Sequence, residues 1–234
     1  MNAWSDFLTR DLSGEIRKLA DDKMQIFYGG WPATRRKLPD YPRTRMNLCY
    51  HEAGHAVMAR IVKFNARTAT VEVFFDNGAT GGNVCLPKGS DSREPAPDMP
   101  PFLMRLASIQ LAAIYLAGFE SEQIYHGIEL PGCLLVDAPD IRNASQFLCA
   151  TYGTAQGLYY VQRLARVILR TTWDFVQAVA YELDAKGTLT EVDLEELLGD
   201  LEPLPEEVFY VPLHDDLGHN WQPRALHRAH TEGS

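Results

Sequence analysis

Several common signatures are missing from this chain of 234 residues. No GxxxxGK[ST] loop occurs, which excludes a P-loop nucleotide site within the chain. Four cysteines stand at positions 49, 85, 133 and 149. None are in CxxC spacing, so a structural zinc knuckle is not indicated. The first residues, Met1-Asn2-Ala3-Trp4-Ser5-Asp6, lack the basic and apolar regions of a secretory leader. Reduced thiols and a cytoplasmic location are the matching expectation. The most apolar run, Phe102 to Gly118, carries Arg105 and Gln110 and is shorter than the roughly 20 apolar residues of a membrane span. Positive charge is scarce: 22 Lys and Arg stand against 31 Asp and Glu, a net charge of −9. That balance argues against nucleic acid or an anionic membrane as the main partner. The acidic run from Glu191 to Glu207 reads as a solvated helix face. What remains is ordinary globular composition, enough for one domain or a domain with a tail.

Against these absences stands His51-Glu52-Ala53-Gly54-His55, an HExxH motif. From the chain's 7 His and 15 Glu, about 0.01 such matches are expected by chance, so the motif carries information. On a helix its two histidines leave one face a turn apart, where a single Zn²⁺ can take both at about 2.0–2.1 Å. Glu52 lies one step round the helix. It cannot easily join as a ligand, but it can reach a water on the metal, as a general base must. Gly54 costs a helix about 1 kcal/mol relative to Ala, which is easier to explain if something packs tightly against it. Ala53, Ala56, Val57 and Ala59 suit a buried helix, and a buried helix would not leave two histidines and a glutamate without partners.

Along the chain, residues 3–22 have the spacing of an amphipathic helix, followed by a basic connector over 35–45. The motif helix is expected from about Arg45 to Phe64, then a strand over 68–75. A turn at 76–78 leads to a second strand over 81–86, making a hairpin. Loops are expected over 87–101 and 127–137, and helices over 104–125, 140–151, 155–184 (ended by Gly187) and 191–199. Thr190 to Asp193 resembles a capping start for the last. Beyond Leu201 the chain is rich in proline and carries His214, His219, His227 and His230. The fold class expected is mainly α (α+β), with a small β-hairpin or sheet. The division is an N-terminal helical extension (1–44), a central domain (45–201) and a C-terminal tail (202–234).

A catalytic zinc takes three protein ligands and keeps one position for water. The spacing HExxHxxGxxH fails here, because Val62-Lys63-Phe64 follows the motif. Downstream candidates for the third ligand are Glu120, Glu122, His126, Asp137 and Asp140. Three separated blocks carry a resemblance. Asn47-Leu-Cys-Tyr-His-Glu-Ala-Gly-His-Ala56 looks like "vAyHEaGHA". Leu116-Ala-Gly-Phe-Glu-Ser-Glu-Gln-Ile-Tyr-His-Gly127 looks like "lgGRaAEeliyG", and Asp140-Ile-Arg-Asn-Ala-Ser145 is similar to "nDlqrAT". Gly81-Gly82 matches glycines that follow an edge strand. Over residues 45 to 185 the chain thus resembles the peptidase domain of the FtsH family of zinc proteases, a helical zincin-like domain. Phe119 stands where that family has Arg, and Glu120 where it has a small residue.

The resemblance implies Asp140 as the third zinc ligand and Glu122 as an acid that braces a ligand rather than binding metal. It implies a zinc metalloendopeptidase with Glu52 as general base; the missing P-loop departs from that family and points to work without an ATPase in its own chain, on peptides or unfolded protein. The resemblance also implies a homo-oligomer, although the ATPase ring that enforces one is missing; a separate ATPase or adaptor partner is left open. The first strand, over 68–75, is the expected edge for an extended substrate. The alternative is a catalytically silent, metal-stabilised regulatory or interaction protein on the same fold, marked by a fourth protein ligand in the water position. A zinc hydrolase acting on something other than peptides is a third.

Overall fold

A computed structural model describes residues 18–19, 23–24, 26–27, 44–64, 66–73, 80–85, 99–128, 139–153 and 157–213. The expected helix over 3–22 (apart from 18–19), most of the connector and of the loops over 87–101 and 127–137, the turn at 76–78, Asp137 and the four tail histidines lie outside these residues.

The described chain is mainly helical, with a small antiparallel sheet. Helix α1 spans Arg45–Ile61. The Thr44 hydroxyl caps it by accepting the backbone N–H of Asn47 at 3.2 Å, a contact worth about 1 kcal/mol. Strands β1 (Thr68–Val73) and β2 (Thr80–Cys85) follow. They pair antiparallel from Thr68 opposite Cys85 to Val73 opposite Thr80. Helix α2 runs over Pro101–Tyr125 and α3 over Pro139–Tyr152. The helix expected over 155–184 is two: α4 (Leu158–Thr171) and α5 (Trp173–Lys186). Between them the Thr172 hydroxyl donates to the Ile168 carbonyl at 2.9 Å, a bond to the preceding turn that favours a bend. Gly187 ends α5 at φ +77°, a backbone angle that suits glycine. A short strand that the sequence pattern did not mark, β3 (Thr188–Thr190), pairs with β1, so the order is β2-β1-β3. β1 is therefore the middle strand, not the edge expected for it. Helix α6 (Glu191–Leu198) opens with the expected capping box of Thr190 and Asp193.

α2 forms the centre, in contact with α1, α3 and α4, while the sheet lies against α1. By length and composition α2 could cross a membrane, but 72% of its apolar window is buried inside the protein. Leu116 of α2, Leu148 of α3, and Leu164 and Ile168 of α4 are fully buried, each contributing about 1.5–3 kcal/mol by leaving water. The α1–α2 crossing is close. A Cβ on Gly54 would stand 2.5 Å from the Ala117 carbonyl oxygen and 2.7 Å from the Ser121 Cβ. The glycine in the motif thus lets two backbones meet. Residues 201–213 strap across the domain. Leu204 N–H donates to the Ile61 carbonyl at 3.0 Å, and the Tyr152 hydroxyl donates to the Val211 carbonyl at 2.9 Å.

Candidate metal centre

α1 projects His51 and His55 toward α2, and α2 orients both rings. The Nδ1 of His55 is 2.7 Å from the Ile114 carbonyl oxygen. A carbonyl only accepts, so Nδ1 carries the proton and Nε2 faces the cleft with its lone pair. The Nδ1 of His51 lies 2.6 Å from Oε1 of Glu122, which orients the second ring in the same sense. Asp140 enters from the first turn of α3, where the helix N-terminus favours a carboxylate. Its Oδ2 is 3.1 Å from His51 Nε2 and 3.7 Å from His55 Nε2.

The structure therefore brings together His51, His55 and Asp140, whose ligand atoms all lie within 4.8 Å of one another and could hold a metal ion. Two imidazole nitrogens with their far sides anchored and one carboxylate oxygen converging on them suit a cation. The other candidates for a third ligand have different places. Glu120 is wholly buried and takes Arg166 Nη1 at 2.8 Å. Glu122 braces His51, and His126 Nε2 sits 3.1 Å from Asn47 Oδ1.

Glu52 is buried, and among the described residues it accepts no hydrogen bond. Gly82 of β2 packs directly on its carboxyl; a Cβ there would overlap Oε1. Burial raises the pKa of Glu52, against the pull of His55 and His51, and a raised carboxyl pKa suits a group that must take and return a proton. Burial disfavours a charged His51, yet the carboxylates of Asp140, Glu122 and Glu52 outweigh it and push the ring up to about 10. Asp140 is also disfavoured as an anion by burial, but the two rings hold it well below the usual carboxylate range. Three carboxylates around two imidazoles leave an excess of negative charge that a bound cation would offset.

The face opens on a cleft of about 400 Å³, walled by Gly82 to Val84 of β2, Ile114 and Tyr115 of α2, and Asn143 of α3. Ile114 contributes through its backbone carbonyl, which no side-chain pattern signals; Tyr115 belongs to no motif, and Asn143 lies within the Asp140 to Ser145 block but is not singled out by it. Comparison with protein-family models gives no match, and neither does comparison with curated proteins.

Proposed function

We propose that the chain is a zinc-dependent metallopeptidase, of the kind its resemblance to the FtsH family implies, that hydrolyses peptides or unfolded segments. The observation that carries this reading is the convergence of His51, His55 and Asp140, with Glu52 buried beside them and, among the described residues, accepting no hydrogen bond. A tetrahedral zinc with bonds of about 2.0–2.2 Å sets its ligand atoms roughly 3.3–3.5 Å apart. The separations of 3.1 and 3.7 Å bracket that range. A mixed nitrogen and carboxylate set suits zinc, and three ligands leave a fourth position for water; structural sites fill all four with protein.

When bound, zinc would supply a water acidic enough to react near neutral pH and would polarise the scissile carbonyl. Glu52 takes the proton from the attacking water and returns it to the leaving amine nitrogen, a role that needs the carboxylate free at the start. Glu122 and the Ile114 carbonyl hold the two rings in orientation. Among the described residues β2 pairs only with β1, so the backbone edge that borders the cleft is that of β2. An extended substrate lying along it would pass beside Glu52.

The test is hydrolysis of a dye-labelled unfolded protein by the zinc-loaded chain and by Glu52→Gln. The variant should keep its zinc and its fold while losing activity by about 10²–10⁴-fold. Equal behaviour of the two proteins on every substrate would sink the peptidase reading. A wild type that binds zinc but cleaves no peptide would favour the regulatory alternative.

A further inference from the structure

The three residues of α2 that meet the histidines share one face of the helix. Ile114, Gly118 and Glu122 are four apart, so they stack turn upon turn. Ile114 anchors the Nδ1 of His55 through its carbonyl, and Glu122 anchors the Nδ1 of His51. Gly118 lies between them. A Cβ built on it would stand 2.5 Å from His55 Nε2, 2.7 Å from His51 Nε2 and 2.7 Å from His55 Cε1. Side-chain carbons do not approach other atoms within 3.0 Å, so a methyl group there must move both rings or occupy the space before their lone pairs.

We propose that Gly118 is a positioning residue that keeps the metal site open, and that a single methyl group at this position excludes the ion. The inference rests on the metallopeptidase reading for the identity of the ion. The rings have little room to retreat. Each is held from behind by α2 itself, at 2.7 Å for His55 and 2.6 Å for His51. Swinging either ring away breaks the bond that orients its nitrogen. α2 thus acts on the histidine pair as a template with an acceptor at each end and a gap in the middle. No polar group of Gly118 takes part, so ligand spacing gives no hint of it; the block Leu116 to Gly127 marks a glycine there without giving its reason.

The experiment measures zinc affinity, by competition with a chromophoric chelator, for the wild type and Gly118→Ala. The variant should bind zinc at least about 100-fold more weakly, at the upper end of what loss of ligand orientation costs. A second measurement keeps the inference testable if the variant folds poorly. Gly118→Ala is also made in a His51→Ala/His55→Ala background and melted without metal. If the clash is with the imidazoles, the substitution lowers the melting temperature beside intact histidines. It raises the melting temperature slightly where they are gone, because alanine is the better helix former. Equal destabilisation in both backgrounds would place the clash elsewhere and overturn the inference. So would zinc affinity within about threefold of wild type, a change too small for a blocked site. In either case the metal site itself stands. A wild type that binds no zinc removes the reading beneath the inference, and the inference with it.

Discussion

Two carboxylates two residues apart on α2, Glu120 and Glu122, enter polar clusters of opposite character. Glu120 faces α4. Its Oε2 takes Arg166 Nη1 at 2.8 Å, and its Oε1 takes the side-chain amides of Gln123 at 2.9 Å and Gln162 at 2.5 Å. One anion meets one cation, and Arg166 also donates to the Ile128 carbonyl. Glu122 faces α1, where three carboxylates share two imidazoles beside an open cleft. The first cluster is closed in charge and shut from water. The second is open in both respects. A buried polar group is an expense unless it is paired, so a cluster left in charge imbalance at a cleft is the better candidate for ligand binding. Burial alone does not separate them, since both glutamates are buried.

The comparison can be broken most forcefully at Glu120. Its replacement by alanine leaves Arg166 buried without its anion, which should cost about 3–5 kcal/mol. Replacing the pair together, as Glu120→Leu/Arg166→Met, should recover most of that loss, because buried ion pairs often exchange for packed apolar residues at little cost. Chemical denaturation of the three proteins checks this, and zinc affinity should follow only the loss of fold. If the double variant is as unstable as Glu120→Ala, the cluster does more than balance its own charge.

At Glu122 the readout should invert. Glu122→Gln keeps the shape but weakens the acceptor for His51 Nδ1, and loss of such a bracing group typically lowers metal affinity about 10–100-fold. Thermal stability without metal should change little by comparison. A variant that binds zinc as tightly as wild type would show that Ile114 and packing alone orient the rings.

Much of this contrast was legible in residue order, and the rest was not for definable reasons. HExxH placed His51, Glu52 and His55 on one helix, with both histidines on the same face, because its pattern depends on local spacing alone. Helix α6 was legible because Thr190 and Asp193 lie three residues apart. The break at Thr172 was hidden, since a threonine within an apolar pattern signals no bend. β3 was hidden because three residues carry no period. The spacing left Glu120, Glu122, His126, Asp137 and Asp140 equal as ligands; the resemblance chose Asp140, and the packing of α3 on α2 brings it to the histidines. That Glu120 belongs to Arg166, 46 residues on, is a tertiary fact that no window contains.

The smallest expected effect concerns how stability varies with pH. Burial pushes the Glu120 carboxyl above its ordinary value, and Arg166 only opposes this. Between the ordinary value and the folded one, the folded protein therefore keeps a proton that the unfolded chain has released; above the folded one Glu120 is the anion that meets Arg166. The contribution of Glu120 is fully present below the ordinary value of 4.5 and is lost as pH rises through the folded one. Glu120→Gln cannot titrate and lacks this dependence. Lowering pH from about 7.5 to about 5 should thus move the melting-temperature difference, wild type minus Glu120→Gln, in the wild type's favour. A difference that moves the other way would mean that Arg166 and the two amides outweigh burial. The closed cluster would then hold its anion in the same sense as His51 and His55 hold that of Asp140, and charge balance, not whether an anion is held, would distinguish the two sides of α2.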